Sequence, residues 1–457
     1  MIARLRSLRD NFGGLKRSLL TEANDYFAKY FSSGAWMVAA NVVIGLAGFV
    51  SLMLFSRLLG QDAFGKYKFL ITILGLLSVF SLQGMSNAIL RWTAESYNAS
   101  YVEGSKARLK YSIFGSASLV VATLYFFSIG NELWIPSLVA VFFFPFMYSF
   151  DSMVFYLYGL QEYRRASIYK TVLNAVPIAV TITVLVLTRS PVAILCSYVV
   201  SMAAIYSAVS FMSTRRRKAE KADHEKKKER KKSGKEKSDE EDVRKDMITY
   251  GKHISLMNVF STAYSYLDKI ILTYFLGLGN LAKLAIADAL PSQYKTHTKF
   301  LVPLIVPKLV KNKRIRISNI YPHIALSLLI SAAGIAALYI IMPWLITFFF
   351  TTKYADSVSV ARLIIISAVF WIPIIIMTSY LDSRKMIREM YVFQTATPIV
   401  GIATYVVLIK MFGLDGIGYA MILTQAISFA LLLVLTRRKA PGTETKLTAK
   451  AGSAKTD

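Results

Sequence analysis

Phe55–Phe69 reads FSRLLGQDAFGKYKF, and Leu272–Ile286 reads LTYFLGLGNLAKLAI. The two stretches align without gaps at a spacing of 217 residues: Leu59 and Gly60 match Leu276 and Gly277, Gly65 matches Ala282, and Lys66 matches Lys283. Each lies between two long apolar runs, so the chain reads as two copies of one unit. A hydrocarbon core about 30 Å thick takes roughly 20 helical residues. Working outward on that measure, apolar runs fall near 34–58, 67–88, 111–129, 134–158, 167–187 and 191–212, then near 253–276, 281–303, 320–345, 358–379, 389–410 and 413–436. Hydrophobic residues make up 55% of the 457, more than soluble domains of this length carry. An even number of spans per unit leaves both units in the same orientation, related by an axis along the membrane normal. The expected fold class is an all-α polytopic membrane protein: about twelve transmembrane helices in two pseudo-symmetric six-helix bundles around a central cavity.

The net charge of +27 would suggest nucleic acid in a soluble chain, but here 43 of the 54 Lys and Arg residues fall in alternate segments between apolar runs. That asymmetry follows the positive-inside rule and puts both termini in the cytoplasm, with the protein multi-pass in the plasma membrane and no nucleic-acid partner. The segments expected are an amphipathic interfacial stretch 1–33, a six-helix bundle 34–213, a basic cytoplasmic linker 214–246, a second bundle 247–436 and a disordered cytoplasmic tail 437–457. Residues 215–237, with tracts such as EKKKERKKSGKEK, can contact anionic headgroups or act as a plain spacer. The single Cys196 excludes an internal disulfide and a thiolate metal cluster, and the four histidines are not spaced for a metal site.

RLLGQDAFGKY followed by LSVFSLQGMSNAILRWTAE resembles the opening of polysaccharide-biosynthesis exporters, the Wzx-type lipid-linked oligosaccharide flippases of the multidrug/oligosaccharidyl-lipid/polysaccharide superfamily. YGKHISLMNVFSTAYSYLDKIILTYFLG, with Tyr250, Gly251 and Asp268, looks like the seventh helix of that family, and the likeness extends over residues 30–436. The long Lys-rich linker departs from the short loop typical of the family. The resemblance implies a transporter, not an enzyme: a flippase that carries a polyprenyl- or dolichyl-(di)phosphate-linked oligosaccharide across the membrane by alternating access, for surface polysaccharide or glycoprotein glycan assembly. It implies no cofactor, coupling to H+ or Na+, and a monomer that can associate with glycan-assembly enzymes.

Ionisable and amide side chains inside spans cost several kcal/mol in lipid, roughly 2.5–3.5 each on insertion scales, and so mark a wet interior or a partner. Asp288, Ser292, Lys295 and Lys299 recur at helical spacing in the eighth span, and Asn258, Ser261, Ser265 and Asp268 do so in the seventh. Lys295 and Lys299 suit an anionic diphosphate, and Asn258 and Ser292 suit sugar hydroxyls, while Lys299 could equally snorkel to the interface. Gln83, Asn87 and Arg91 form a shorter stripe in the second span, with Asn41 in the first and Asp151 in the fourth as further cavity candidates. Asp268 and Asp288 are the carboxylates suited to ion coupling, because a carboxyl in low dielectric can alternate between charged and neutral forms. Lys269 points about 100° from Asp268 and is not automatically its partner. Tyr148, Tyr156, Tyr158, Tyr264 and Tyr266 could stack on sugar rings, against the commoner role of packing. Two other readings stay open. An antiporter for drugs or metabolites would favour acidic cavity residues, and a membrane-embedded glycosyltransferase or ligase would need a sizeable outer loop.

Overall fold

The computed structural model describes residues 35–97, 99–225, 234–298, 320–384 and 386–437. The interfacial stretch 1–33, the tail 438–457, Lys299 and part of the linker (226–233) lie outside these. Among the described residues ten helices are long and apolar enough to cross a membrane. They are surfaced with large hydrophobic side chains: Leu124, Phe127, Leu329, Ile340 and Trp344 are all more than 60% exposed. Arg108 and Asp268, in contrast, are buried. Apolar outside and charged inside is the arrangement a lipid solvent selects.

The first bundle runs α1 (Ala35–Leu58), α2 (Gln61–Leu77), α3 (Met85–Ala94), α4 (Ser100–Ser128), α5 (Trp134–Ser149), α6 (Met153–Gly159), α7 (Tyr163–Thr188) and α8 (Pro191–Glu225). The second runs α9 (Gly234–Leu276), α10 (Leu278–Ala287), α11 (Ala289–Thr298), α12 (Tyr321–Phe350), α13 (Ser357–Ser367), α14 (Trp371–Ser383), α15 (Ile387–Phe412) and α16 (Asp415–Arg437). Several expected spans prove longer, and four are broken. The expected second span, 67–88, begins six residues earlier and breaks into α2, a 3-10 turn at Ser78–Ser81 and α3, with Leu82 in the left-handed region at φ 50°. The expected fourth span divides at Phe150–Ser152 into α5 and α6. The eighth divides at Asp288, three residues before Pro291, whose missing N–H leaves the carbonyl of Ala287 without its helical donor. The tenth passes through a 3-10 turn at Ala368–Phe370, just ahead of Pro373. The expected linker 214–246 is largely helical where described, as the end of α8 and the start of α9.

The expected seventh and eighth crossings, α9 and the α10–α11 pair, fall outside the ten helices that are both long and apolar enough; α10 is apolar but only ten residues long. Asp268 and Lys269 lower the hydropathy of α9, and the eighth crossing is cut into two ten-residue helices at Asp288.

The repeat has a structural counterpart. Gly60 and Gly277 each precede the helix that follows the turn, but only Gly277, at φ 81°, needs a glycine's freedom. The matched lysines are both ion-paired to the acidic loop between the third and fourth crossings of their own half: Lys66 with Glu132, and Lys283 with Asp356 at 2.7 Å.

The halves touch at two levels. At the Gly60/Gly277 end, a Cβ on Gly65 would lie 2.0 Å from the carbonyl oxygen of Leu278, so α2 and α10 cross at backbone contact. There Arg57 donates to the Phe348 and Phe349 carbonyls at 2.9 and 3.2 Å, and Gln61 donates to that of Lys353 at 2.7 Å. At the opposite end, α3 meets α9: the amide of Gly84 donates to Ser255 Oγ at 3.0 Å, and a Cβ on Gly84 would come within 2.4 Å of the Ser255 nitrogen. Gly251 faces Met85 in the same contact.

Candidate functional site

Between these two levels lies a group of charges contributed by both halves. Asp268 on α9 is buried and paired with Lys269 at 3.2 Å, its own sequence neighbour. The pairing left open by the 100° between the two Cα–Cβ directions does form: the four-carbon stem curls back, so Nζ also donates to the Ser265 carbonyl one turn below at 3.1 Å. Asp288, at the break between α10 and α11, interacts electrostatically with Lys269, Lys295, Asp268 and Lys68. Lys68 comes from α2, in the other half, and its ammonium also lies over the rings of Phe64 and Tyr67 at 5.5 and 6.0 Å. Lys295 is exposed on α11 with its ammonium 5.1 Å from the centre of the Trp371 ring. Among the described residues the cluster sets three ammonium groups against two carboxylates, and inside a membrane a charge persists only with partners or water.

The remaining expected residues divide. Ser292 is half-buried on α11, its hydroxyl donating to the Ala289 carbonyl at 3.0 Å, which leaves its lone pairs available. Asn258 is half-buried on α9, ten residues and about 15 Å from Asp268. Asn41 on α1 accepts a hydrogen bond from Lys170 on α7 at 2.7 Å, a cation that charge counting assigns to a loop. Asn87 is exposed on α3. Arg91 lies at the contact between halves, with its guanidinium 5.2 Å from the Trp92 ring and 5.3 Å from that of Tyr250 and paired with Glu95 at 3.1 Å. Lys299 lies outside the described residues.

Asp151 is not the solitary carboxylate its sequence position suggests. It lies in the break between α5 and α6 and pairs with Arg108, the largest fully buried side chain. The same guanidinium donates to the Ser81 carbonyl and to Ser86 Oγ, both at 3.0 Å. Ser81 ends the 3-10 turn between α2 and α3, so Arg108 satisfies a carbonyl that the break has stripped of its helical donor and ties together both broken helices of the first bundle. Arg108 escapes a sequence reading because it precedes the apolar run of α4 by three residues. Only the start of that helix at Ser100 carries it inside.

Comparison with known proteins adds three findings. A family model described as "Polysaccharide biosynthesis protein" matches residues 31–293, more than half of the chain. Among solved structures, one titled "Lipid II flippase MurJ, inward closed conformation" superposes with a TM-score of 0.66 at 12% identity, over 88% of this chain and 87% of that one. An inward-facing multidrug-resistance MATE transporter of the MOP superfamily superposes at 0.62 and 13% identity, over 86% and 94%. At such identities the likeness concerns the fold, which is the two-bundle fold expected from the repeat. No curated protein sequence matches the chain.

Proposed function

The chain belongs to the polysaccharide biosynthesis protein family, and we propose that within it this protein moves a lipid-linked oligosaccharide between leaflets by alternating access. The observation that carries the reading is the cluster of Lys68, Lys269 and Lys295 around Asp268 and Asp288, drawn from both halves and net cationic at membrane depth. A diphosphate would neutralise that excess, while the polyprenyl tail remains in lipid and the head passes between the bundles. An excess of ammonium groups repels the organic cations that a drug antiporter would carry.

Asp268 is the residue proposed for coupling to H+ or Na+, with Asp288 beside it. Neutralising Asp268 by a proton, or holding it with Na+, would release the Lys269 ammonium to a phosphate oxygen, so ion binding and substrate binding would compete for one cation. Lys299, Asn258 and Ser292 would extend the site along α9 and the eighth crossing, and Asn41, Asn87 and Arg91 would line the route on the first half. The protein would reside in the plasma membrane with both termini in the cytoplasm and residues 215–237 against anionic headgroups.

The test is leaflet exchange of a fluorescent polyprenyl-diphosphate oligosaccharide in liposomes. Wild type is expected to exchange it, and Lys295→Ala or Lys269→Met to lower the rate at least tenfold with folding retained. Transport of small organic cations in its absence would overturn the proposal in favour of the antiporter.

A further inference from the structure

Among the described residues, Lys170 is a cation inside a span of the first half that no carboxylate pairs with. It lies on α7, seven residues and about 10 Å from the start of that helix at Tyr163. Its ammonium donates to the amide oxygen of Asn41 on α1 at 2.7 Å. Asn41 is held for that contact, because its nitrogen donates to the Met37 carbonyl one turn back at 2.8 Å. Other cations of this half are matched: Arg108 by Asp151, and Lys66 by Glu132.

An intramembrane lysine ordinarily snorkels toward the nearer end of its helix. Lys170 does not. Arg164, six residues earlier on α7, has its guanidinium 5.1 Å from the centre of the Trp36 ring on α1, so α1 and α7 run side by side in the same direction. Asn41, five residues after Trp36, therefore stands about level with Lys170, whose side chain crosses to it without a change of depth. Arg164 is exposed, and the neighbouring Glu162 carboxylate is paired with Arg165 at 3.0 Å. Two cations thus follow the α1–α7 seam into the membrane, the second about 9 Å beyond the first.

The seam faces the second half. Gly45 shares a face of α1 with Asn41, one turn away, and a Cβ on it would come 3.1 Å from Gln293 Oε1 of α11, the helix that carries Ser292 and Lys295. Lys170 and Asn41 are both half-buried. From the Gly60/Gly277 end, Asn41 lies about 25 Å along α1 and Asp268 about 12 Å along α9. Lys170 is therefore separate from the charge cluster and closer to the opposite end, where α3 meets α9.

We propose that Lys170, held by Asn41, is a second phosphate-binding site, which takes the diphosphate of the lipid carrier before it reaches Lys68, Lys269 and Lys295. The site rests on the flippase reading and adds to it a station that the cluster does not contain. An ammonium backed by a neutral amide keeps two N–H donors and a whole unbalanced charge, and a phosphate oxygen satisfies both. Arg164 stands where an arriving headgroup would meet the seam first.

The experiment measures binding of a short polyprenyl diphosphate without sugar to the full chain in phosphatidylcholine nanodiscs. Lys269→Met/Lys295→Ala serves as the background, since it leaves the cluster with one ammonium against two carboxylates and removes its attraction for phosphate. That background is expected to keep measurable binding. Adding Lys170→Met should weaken it about tenfold or more, the worth of a charge-assisted hydrogen bond, and Lys170→Arg should keep it within about threefold. Adding Asn41→Asp should weaken it as much as Lys170→Met does, because the lysine stays but gains a carboxylate of its own. Indifference to Lys170→Met or to Asn41→Asp, or loss of all binding in the background itself, would overturn the second site alone. Displacement of the probe by phosphatidylglycerol added to the nanodisc would assign the site to ordinary anionic lipid and overturn the carrier assignment. Failure of the wild type to bind the probe would overturn the flippase reading together with it.

Discussion

Replacing Asp151 by alanine isolates the energetics of the fully buried Arg108 guanidinium. Arg108 has no exposed surface, and removing its carboxylate strands a positive charge among helices α3 to α6 with only the Ser81 carbonyl and Ser86 Oγ as acceptors. Its second terminal nitrogen has no partner even in the native protein. Breaking a fully buried pair from one side costs about 3–5 kcal/mol, because the desolvation of the survivor is no longer offset; the Asp151 side chain is 37% exposed, which lets water into the vacated space and sets the cost near the low end of that range. Arg108→Met/Asp151→Ala removes the stranded charge and leaves two orphaned neutral acceptors at about 1 kcal/mol or somewhat more each. The double variant should therefore be more stable than Asp151→Ala alone, by about 1–3 kcal/mol. Reversible unfolding in mixed micelles, followed by tryptophan fluorescence, supplies the three free energies for a double-mutant cycle. The reasoning is refuted if Asp151→Ala costs under about 1 kcal/mol, or if the two substitutions simply add.

Three other outcomes follow from the geometry. Gly65→Val should part α2 from α10, since even a methyl group would sit 2.0 Å from a backbone oxygen, and should raise the reactivity of a cysteine at Asp62 toward a water-soluble maleimide; unchanged labelling would count against the contact. Gly84→Ala should lower the melting temperature more than Gly251→Ala, because the first methyl meets the Ser255 backbone and the second meets a flexible Met85 side chain; a reversed order would contradict it. The hydrogen bond and charge of Lys283 hold the Asp356 carboxyl below its ordinary value. The pair thus contributes fully above the unfolded carboxyl's pKa of about 3.9 and is lost as pH falls through the depressed folded value. Carboxyl titration by NMR should show that low midpoint moving up in Lys283→Met, and an identical midpoint in both proteins would refute the link.

The features that follow from chain periodicity were legible in the sequence. Leu59-Gly60 and Leu276-Gly277 mark the repeat, and Lys66 and Lys283 carry it through to matching ion pairs. Pro291 stands in the eighth crossing, and the helix breaks three residues ahead of it. The break between α2 and α3 had no such sign, because no proline is present and the turn is stabilised from outside by Arg108 on another helix. Arg108, Lys170 and Lys68 were missed for a related reason: a charge near the edge of an apolar run reads as a loop residue until the helix is known to start earlier. Backbone direction alone left the Asp268–Lys269 pairing open, and a long flexible side chain closes it.

Helix α9 is a beam of 43 residues, about 64 Å long, roughly twice the thickness of the hydrocarbon it crosses. It is moored to the other half at three stations: Arg244 to Glu103 at 3.7 Å, Ser255 to Gly84, and Tyr266 to Gly75. A stiff member fastened in that way cannot shift at one station without registering at the rest. One residue inserted between Ser255 and Tyr266 would turn everything beyond it by about 100°, so a single surplus peptide unit would undo moorings that no substitution could loosen together.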